Sequence, residues 1–185
     1  MLLHRVLRSC SMCPFLTLSL CPFKGLRTAL LCLTWRNMFS TNTRKDLITK
    51  KLDKIERIQN PGLWKSLQIK KQEMELRNNH QNNDKRLFHG TTACYGNGSY
   101  FAVKADYSAQ DTYSKPNANG EKFMYVCRVL TGDYTLGEKK MVAPPSKGSS
   151  SVHMYDSVVD DMATPSMFVV FHDTQAYPEY LITFK

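Results

Sequence analysis

The chain sets Phe88-His89-Gly90-Thr91 a few residues before Tyr95-Gly96-Asn97-Gly98-Ser99-Tyr100-Phe101-Ala102, so an imidazole, a phenol and two glycine turns crowd into one short stretch. An imidazole offers two nitrogens for hydrogen bonding, a phenol offers a ring face and a hydroxyl, and glycine lets backbone come close to a partner. Such a set suits a ligand cleft. Each member also has a plain reading. His89 alone could be a structural or surface histidine, Tyr100 and Tyr113 ordinary sheet and helix aromatics, and Gly96 and Gly98 no more than a turn. Cys10-x-x-Cys13 could ligate zinc or act as a redox pair, but no second pair follows at metal-ligand spacing, so no metal site is expected. No GxGxxG leads from a strand into a long helix and no GxxxxGK[ST] occurs, which argues against a dinucleotide βαβ unit and a P-loop.

The elements that must position these groups can be read around them. Asn60-Pro61 reads as an N-cap and first turn, and Trp64, Leu67, Lys71 and Met74 recur on one face, which predicts a helix over 61–77. The polar run 78–84 ends it. Arg86-Leu87-Phe88 is then a short strand delivering His89 at its carboxyl end. Residues 105–113 are a short helical candidate, followed by a turn over 115–120. The stretch 123–130 is apolar on nearly both faces, as a central strand would be, and two more strands are expected at 167–171 and 180–184. The Pro- and Ser-rich stretch 143–151 reads as an exposed, mobile loop. The sum is an α+β domain with mixed or antiparallel pairing and few helices.

Composition bounds the remainder. The chain has 185 residues, 42% of them apolar, enough for one domain with one core. Of its net charge of +9, residues 1–45 supply seven Lys or Arg and no acidic residue, so the folded part has little basic field and direct nucleic-acid binding is not expected. Residues 1–45 also hold Cys10, Cys13, Cys21 and Cys32 and read as a transit-like or merely unusual leader. Pro14 and Pro22 break its apolar run, and no stretch reaches the roughly 18 apolar residues of a membrane span. Cys94 and Cys127 read as reduced thiols, with Cys127 buried in an apolar strand.

From about Leu47 to Lys185 the chain resembles the catalytic domain of the ARTD or PARP family, closest to its macrodomain-linked mono-ADP-ribosyltransferases. The resemblance rests on residues 55–61 (Ile-Glu-Arg-Ile-Gln-Asn-Pro), 87–91 (Leu-Phe-His-Gly-Thr), 96–102 (Gly-Asn-Gly-Ser-Tyr-Phe-Ala), 124–132 (Met-Tyr-Val-Cys-Arg-Val-Leu-Thr-Gly) and 175–182 (Gln-Ala-Tyr-Pro-Glu-Tyr-Leu-Ile), in that order. It implies a split mixed sheet of the ADP-ribosyltransferase type over 46–185, with a cleft for NAD⁺ as cosubstrate and no metal. His89 matches the signature histidine that hydrogen-bonds the ribose and carboxamide region. Gly90 matches the glycine whose backbone pairs with the nicotinamide amide, where a side chain would crowd the ring. Tyr100 matches the signature tyrosine, Tyr113 the aromatic that stacks on nicotinamide, and Ser108 a serine that bonds the carboxamide. Tyr107 is a nearby wall residue, and Thr91 matches a position that can reach the adenosine ribose. The catalytic reading requires the His89 imidazole and the Tyr100 phenol on the same side of the sheet.

Met167 occupies the third signature position, where polymer-forming members carry glutamate. A thioether is a weak acceptor without charge, so chain elongation is expected to be absent. Met167 also reads as a core residue at the pocket floor. Glu179 does not replace the missing carboxylate, since it falls on the following strand. The implied activity is transfer of single ADP-ribose units to side chains of acceptor proteins, in nucleus and cytoplasm. The interval from His89 to Tyr100, eleven residues, is much shorter than in the family, where a helix and the donor loop over bound NAD⁺ lie between the two. Loss of a packed helix would expose apolar surface at a cost of about 25 cal/mol per Å². The alternative expectation is therefore an inactive or weakly NAD-binding, protein-interacting isoform without the donor loop.

Overall fold

The computed structural model describes residues 52–90, 98–148 and 153–185. The leader 1–45, Cys94 and Thr91 lie outside the described residues. Eight strands form one sheet: β1 (Leu52–Arg57), β2 (Asp84–Gly90), β3 (Ser99–Ala102), β4 (Lys122–Leu130), β5 (Tyr134–Leu136), β6 (Ser157–Val159), β7 (Met167–Val170) and β8 (Ala176–Phe184). Their spatial order is β1-β8-β4-β2-β3-β7-β6-β5, and every neighbouring pair is antiparallel except β5 with β6. Among the described residues there are two α-helices, α1 (Pro61–Asn78) and α2 (Ala105–Ser108), and one 3-10 turn at Asp173–Gln175. The architecture is α+β with a mixed sheet.

The sheet is weakest at its middle. β2 runs alongside β4 through seven paired positions, but among the described residues it meets β3 through one, Phe88 opposite Ala102. That single joint is where the sheet splits, and both signature segments end there. The two halves are tied together elsewhere: Ser157 Oγ donates to Thr131 O at 2.6 Å, bringing the start of β6 to the end of β4. Four strand spacings separate these strands in the sheet order, about 19 Å if the sheet were flat. The sheet therefore curls. Gln175 holds the curl closed, its buried Nε2 donating to Leu130 O at 3.0 Å and to Asp156 O at 2.8 Å.

Alternation along the strands sorts the core into two faces. Leu87, Phe101, Cys127, Val129, Phe168 and Val170 pack on one, and Phe88, Met124, Val126 and Ile182 on the other, together with Ala105 and Ala109 from α2 and the residue after it. α1 covers the far end of the second face through Leu67 and Met74 against Leu130 and Tyr177. Its start is built as the sequence predicts: Asn60 Oδ1 accepts from Leu63 N at 3.0 Å with Pro61 in the first turn, and Asn79 in the left-handed region stops it. Tyr177 locks this end, its hydroxyl accepting from Asn60 N at 3.1 Å and donating to Ile58 O at 3.0 Å.

Three sequence expectations need correction. The helix at 105–113 is one turn, Ala105–Ser108, and Tyr113 belongs to a separate turn in which the amides of Tyr113 and Ser114 both bond to Gln110 O. β8 begins at Ala176, ahead of Pro178, so the last strand is longer than 180–184. The described part of the 143–151 loop is pinned: Pro144 is buried, Lys147 N donates to His153 O at 2.8 Å, and Tyr155 N donates to Pro145 O at 2.9 Å. Cys127 is fully buried, as its apolar strand requires, and burial with the nearby Glu179 charge pushes its thiol pKa far above the ordinary range.

Candidate active site

Gly90 ends β2 with the backbone of Tyr113 pressed against it. A Cβ built on Gly90 would stand 2.3 Å from Tyr113 O and 2.7 Å from Tyr113 C, so only glycine fits. The contact fixes the Tyr113 turn over the second sheet face at the split. Ser114 holds the same turn from below: its buried Oγ lies 2.7 Å from Ser108 O and 2.8 Å from Phe123 O and shares one proton between them. Tyr113 and Tyr107 stack with centroids 5.0 Å apart and planes 20° from parallel, and their hydroxyls are 3.0 Å apart. A third ring between them would need a gap of about 7 Å, two stacking distances. A ligand ring stacked on Tyr113 must therefore use the face turned away from Tyr107. Ser108 is buried between this turn and the sheet.

Strand register places the other residues. Tyr100 pairs with Val169 and Ala102 with Met167, and Ala102 also faces Phe88. Directly opposed residues share a face. Tyr100 and Met167 thus stand on the face of Phe88 and Gly90, the one that carries Tyr107, Ser108 and Tyr113. Six of the residues drawn from the sequence converge there.

His89 does not. One position on from Phe88, its ring falls on the opposite face against Phe101, with centroids 5.3 Å apart. The expectation that imidazole and phenol share a side is corrected, and the cause is parity: with Phe88 opposite Ala102, His89 stands across from Phe101 and not from Tyr100. What His89 reaches is the Tyr100 backbone, Nδ1 lying 2.7 Å from its carbonyl oxygen. A carbonyl only accepts, so Nδ1 carries the proton. The imidazole thereby clamps β2 to β3 beside their single paired position. Any ribose contact by this ring runs through Nε2.

Glu179 is committed elsewhere. Its two oxygens accept from Arg86 Nε at 2.9 Å and Arg128 Nε at 3.0 Å, bridging two guanidinium groups that face each other across β2 and β4. Two supports of the site went unread in the sequence. One is Ser114. The other is Asp160, whose Oδ1 accepts from Met167 N at 3.0 Å; the Asp160-Asp161 pair ahead of Thr164-Pro165 is the turn-forming pattern that could have revealed it.

Comparison with known proteins agrees with this fold. Residues 91–163 match the family model described as the poly(ADP-ribose) polymerase catalytic domain. Protein mono-ADP-ribosyltransferase PARP14 of Homo sapiens is 49% identical over 157 residues, which is 73% of this chain and 9% of that protein. Protein mono-ADP-ribosyltransferase PARP12 of Mus musculus is 41% identical over 72% of this chain and 22% of its own length. PARP11 of Mus musculus, another protein mono-ADP-ribosyltransferase, is 35% identical over 76% of this chain and 54% of its own length. The chain thus spans at most about half the length of these relatives. Within the part that matches, it belongs to the poly(ADP-ribose) polymerase catalytic-domain family and is similar to its mono-ADP-ribosyltransferases.

Proposed function

We propose that this domain binds NAD⁺ and transfers single ADP-ribose units to side chains of acceptor proteins in nucleus and cytoplasm. The observation that carries the reading is the second sheet face, where the Gly90 backbone, Ser108 and the Tyr113 ring face turned away from Tyr107 come together beside Tyr100. Gly90 N–H and C=O pair with the carboxamide, Ser108 adds a third hydrogen bond, and Tyr113 stacks on the pyridine ring. The nicotinamide–ribose bond breaks through an oxocarbenium-like state as nicotinamide leaves with the bonding electron pair. An acceptor oxygen, such as a carboxylate of the target protein, then bonds C1′. Holding the leaving group in one orientation is the protein's main contribution. Met167 supplies neither charge nor a strong acceptor beside the ribose, so the transferred unit is not extended.

The same-side condition that the catalytic reading sets for His89 and Tyr100 is not met, so the transfer reading rests on the pyridine cradle and on the Nδ1 bond to Tyr100 O, and the placement of His89 favours a second reading: a domain that binds nicotinamide-containing ligands without turnover. Incubation of the purified protein with labelled NAD⁺ separates the two. Transfer predicts label on protein as single units, lost in Tyr113→Ala while that variant keeps its circular dichroism spectrum. Label absent from the wild-type protein, with nicotinamide still binding, establishes the second reading.

A further inference from the structure

The segment leading into β7 is organised around one carboxylate. Asp160 Oδ1 accepts from the amides of Ser166 and Met167, each at 3.0 Å, and Oδ2 accepts from the Ser166 hydroxyl. Asp161 shapes the interior of the same loop, its Oδ1 accepting from Ala163 N at 2.7 Å and Thr164 N at 3.0 Å. Ser166 O in turn accepts from Val103 N at 2.9 Å, which ties the loop to the residue after β3. Partial burial raises the Asp160 pKa and the hydrogen bonds from Ser166 and Met167 lower it, the net direction being down, so the carboxylate stays charged at neutral pH.

This arrangement has a geometric consequence for the cradle. β7 is paired to β3 from Met167 opposite Ala102 to Val170 opposite Ser99, with Val169 opposite Tyr100. On its other side β3 is joined to β2, among the described residues, by one paired position and by the His89 Nδ1 bond to Tyr100 O. The register and height of Tyr100 over the cleft are therefore set from β7 together with His89, and the start of β7 is set by Asp160.

We infer that Asp160 is a positioning residue for ADP-ribosyl transfer: by holding the amides of Ser166 and Met167 it fixes β7, and through β7 it fixes Tyr100 and the Met167 side chain beside the ribose. The inference rests on the transfer reading above and adds a residue that never touches substrate.

The test compares Asp160→Ala, Asp160→Asn and wild-type protein by amide hydrogen exchange, nicotinamide affinity and the steady-state kinetics of labelling from NAD⁺. Asp160→Ala leaves two amides without their acceptor, and exchange at Met167 and Ser166 should speed about tenfold. Its kcat should fall about tenfold with a smaller change in KM, because the cradle still binds nicotinamide while the ribose is misaligned. Asparagine keeps Oδ1 as acceptor for both amides and should restore most of kcat, which a loss of negative charge alone would not allow. Asp160→Ala that matches wild-type kcat, or that lowers kcat only in proportion to the fraction unfolded, overturns the inference. A wild-type protein that does not label overturns the transfer reading instead, and Met167 exchange then decides the clamp: a rate unchanged in Asp160→Ala overturns it as well.

Discussion

Gly90→Ala is the sharpest perturbation of the cradle because the clash is with backbone. The added Cβ would lie 2.3 Å from Tyr113 O, 2.7 Å from Tyr113 C and 2.8 Å from Tyr113 Cβ, where ordinary contact begins at 3.4 Å. About 1.1 Å must be found. Gly90 cannot give it easily, being paired to Met124 across β2 and β4. The Tyr113 turn is held by its own amide bond to Gln110 O at 2.9 Å and by the buried Ser114 hydroxyl. Overpacking of this kind costs about 2 kcal/mol, which for a domain of this size lowers the melting temperature by about 4–8 °C. The functional cost is larger, since a displacement of about 1 Å in a positioning element can cost up to about 100-fold in rate. Thermal unfolding, nicotinamide binding and single-turnover labelling should be measured on Gly90→Ala beside Gly148→Ala, where a Cβ meets nothing within 4 Å. Gly148→Ala is expected to behave as wild type. A Gly90→Ala protein with unchanged melting temperature and nicotinamide affinity would refute the close approach of the Tyr113 turn, and the cradle with it.

Three further outcomes follow from the supports around the curled sheet. Gln175→Leu strips the donor from Leu130 O and Asp156 O in a fully buried setting and should cost about 2–3 kcal/mol by chemical denaturation. Asp156→Ala removes a carboxylate that accepts from Arg77, from Asn78 Nδ2 at 2.7 Å and from Asp133 N at 3.0 Å; with Arg77 partly solvated, a loss near about 3 kcal/mol is expected. Acid should destabilise the domain through Asp133 and Asp160: partial burial raises the Asp133 pKa, but hydrogen bonds and charge from His80 and Lys147 bring the net value down, as Ser166 and Met167 do at Asp160. Depressed native carboxylates contribute stability that is complete above the unfolded value of about 3.9 and is lost as pH falls through the lower native values, so stability titrated from pH 6 to pH 2 should decline below about pH 4 and not before.

What could be read from the sequence was what local chemistry decides. α1 announced itself through Asn60-Pro61 and the spacing of Leu67 and Met74, and β4 through its unbroken apolar run. β1, with the sequence Leu-Asp-Lys-Ile-Glu-Arg, has no such pattern, because as an edge strand it buries little and depends on pairing with β8. β5 and β6 are three residues each and exist by virtue of one another and of β7. The site divides along the same line. Residue types at Gly90, Tyr100, Tyr113 and Met167 could be matched to a known motif, but which side of the sheet each side chain takes is a matter of register. At the split that register hangs on Phe88 opposite Ala102, and it sends His89 to the other face.

The short His89–Tyr100 interval bears on the ligand less uniformly than its length suggests. β2 and β3 are adjacent and antiparallel among the described residues, and the short interval between them leaves that strand order in place. The cradle is assembled from the end of β2, from β3 and from the Ser108–Ser114 stretch, all outside residues 91–97. The cover over the adenosine half of NAD⁺ that the family resemblance implies for a longer interval falls outside this cradle. The chain should accordingly bind nicotinamide as a full catalytic domain does while gaining little from the rest of the cosubstrate. Calorimetric Kd values for NAD⁺ and for nicotinamide are expected within about tenfold of each other, a difference below about 1.4 kcal/mol. An NAD⁺ affinity 100-fold or more above that of nicotinamide would mean that residues 91–97 and their surroundings grip the adenosine after all, and the division of the cleft into an intact half and a depleted half would be wrong.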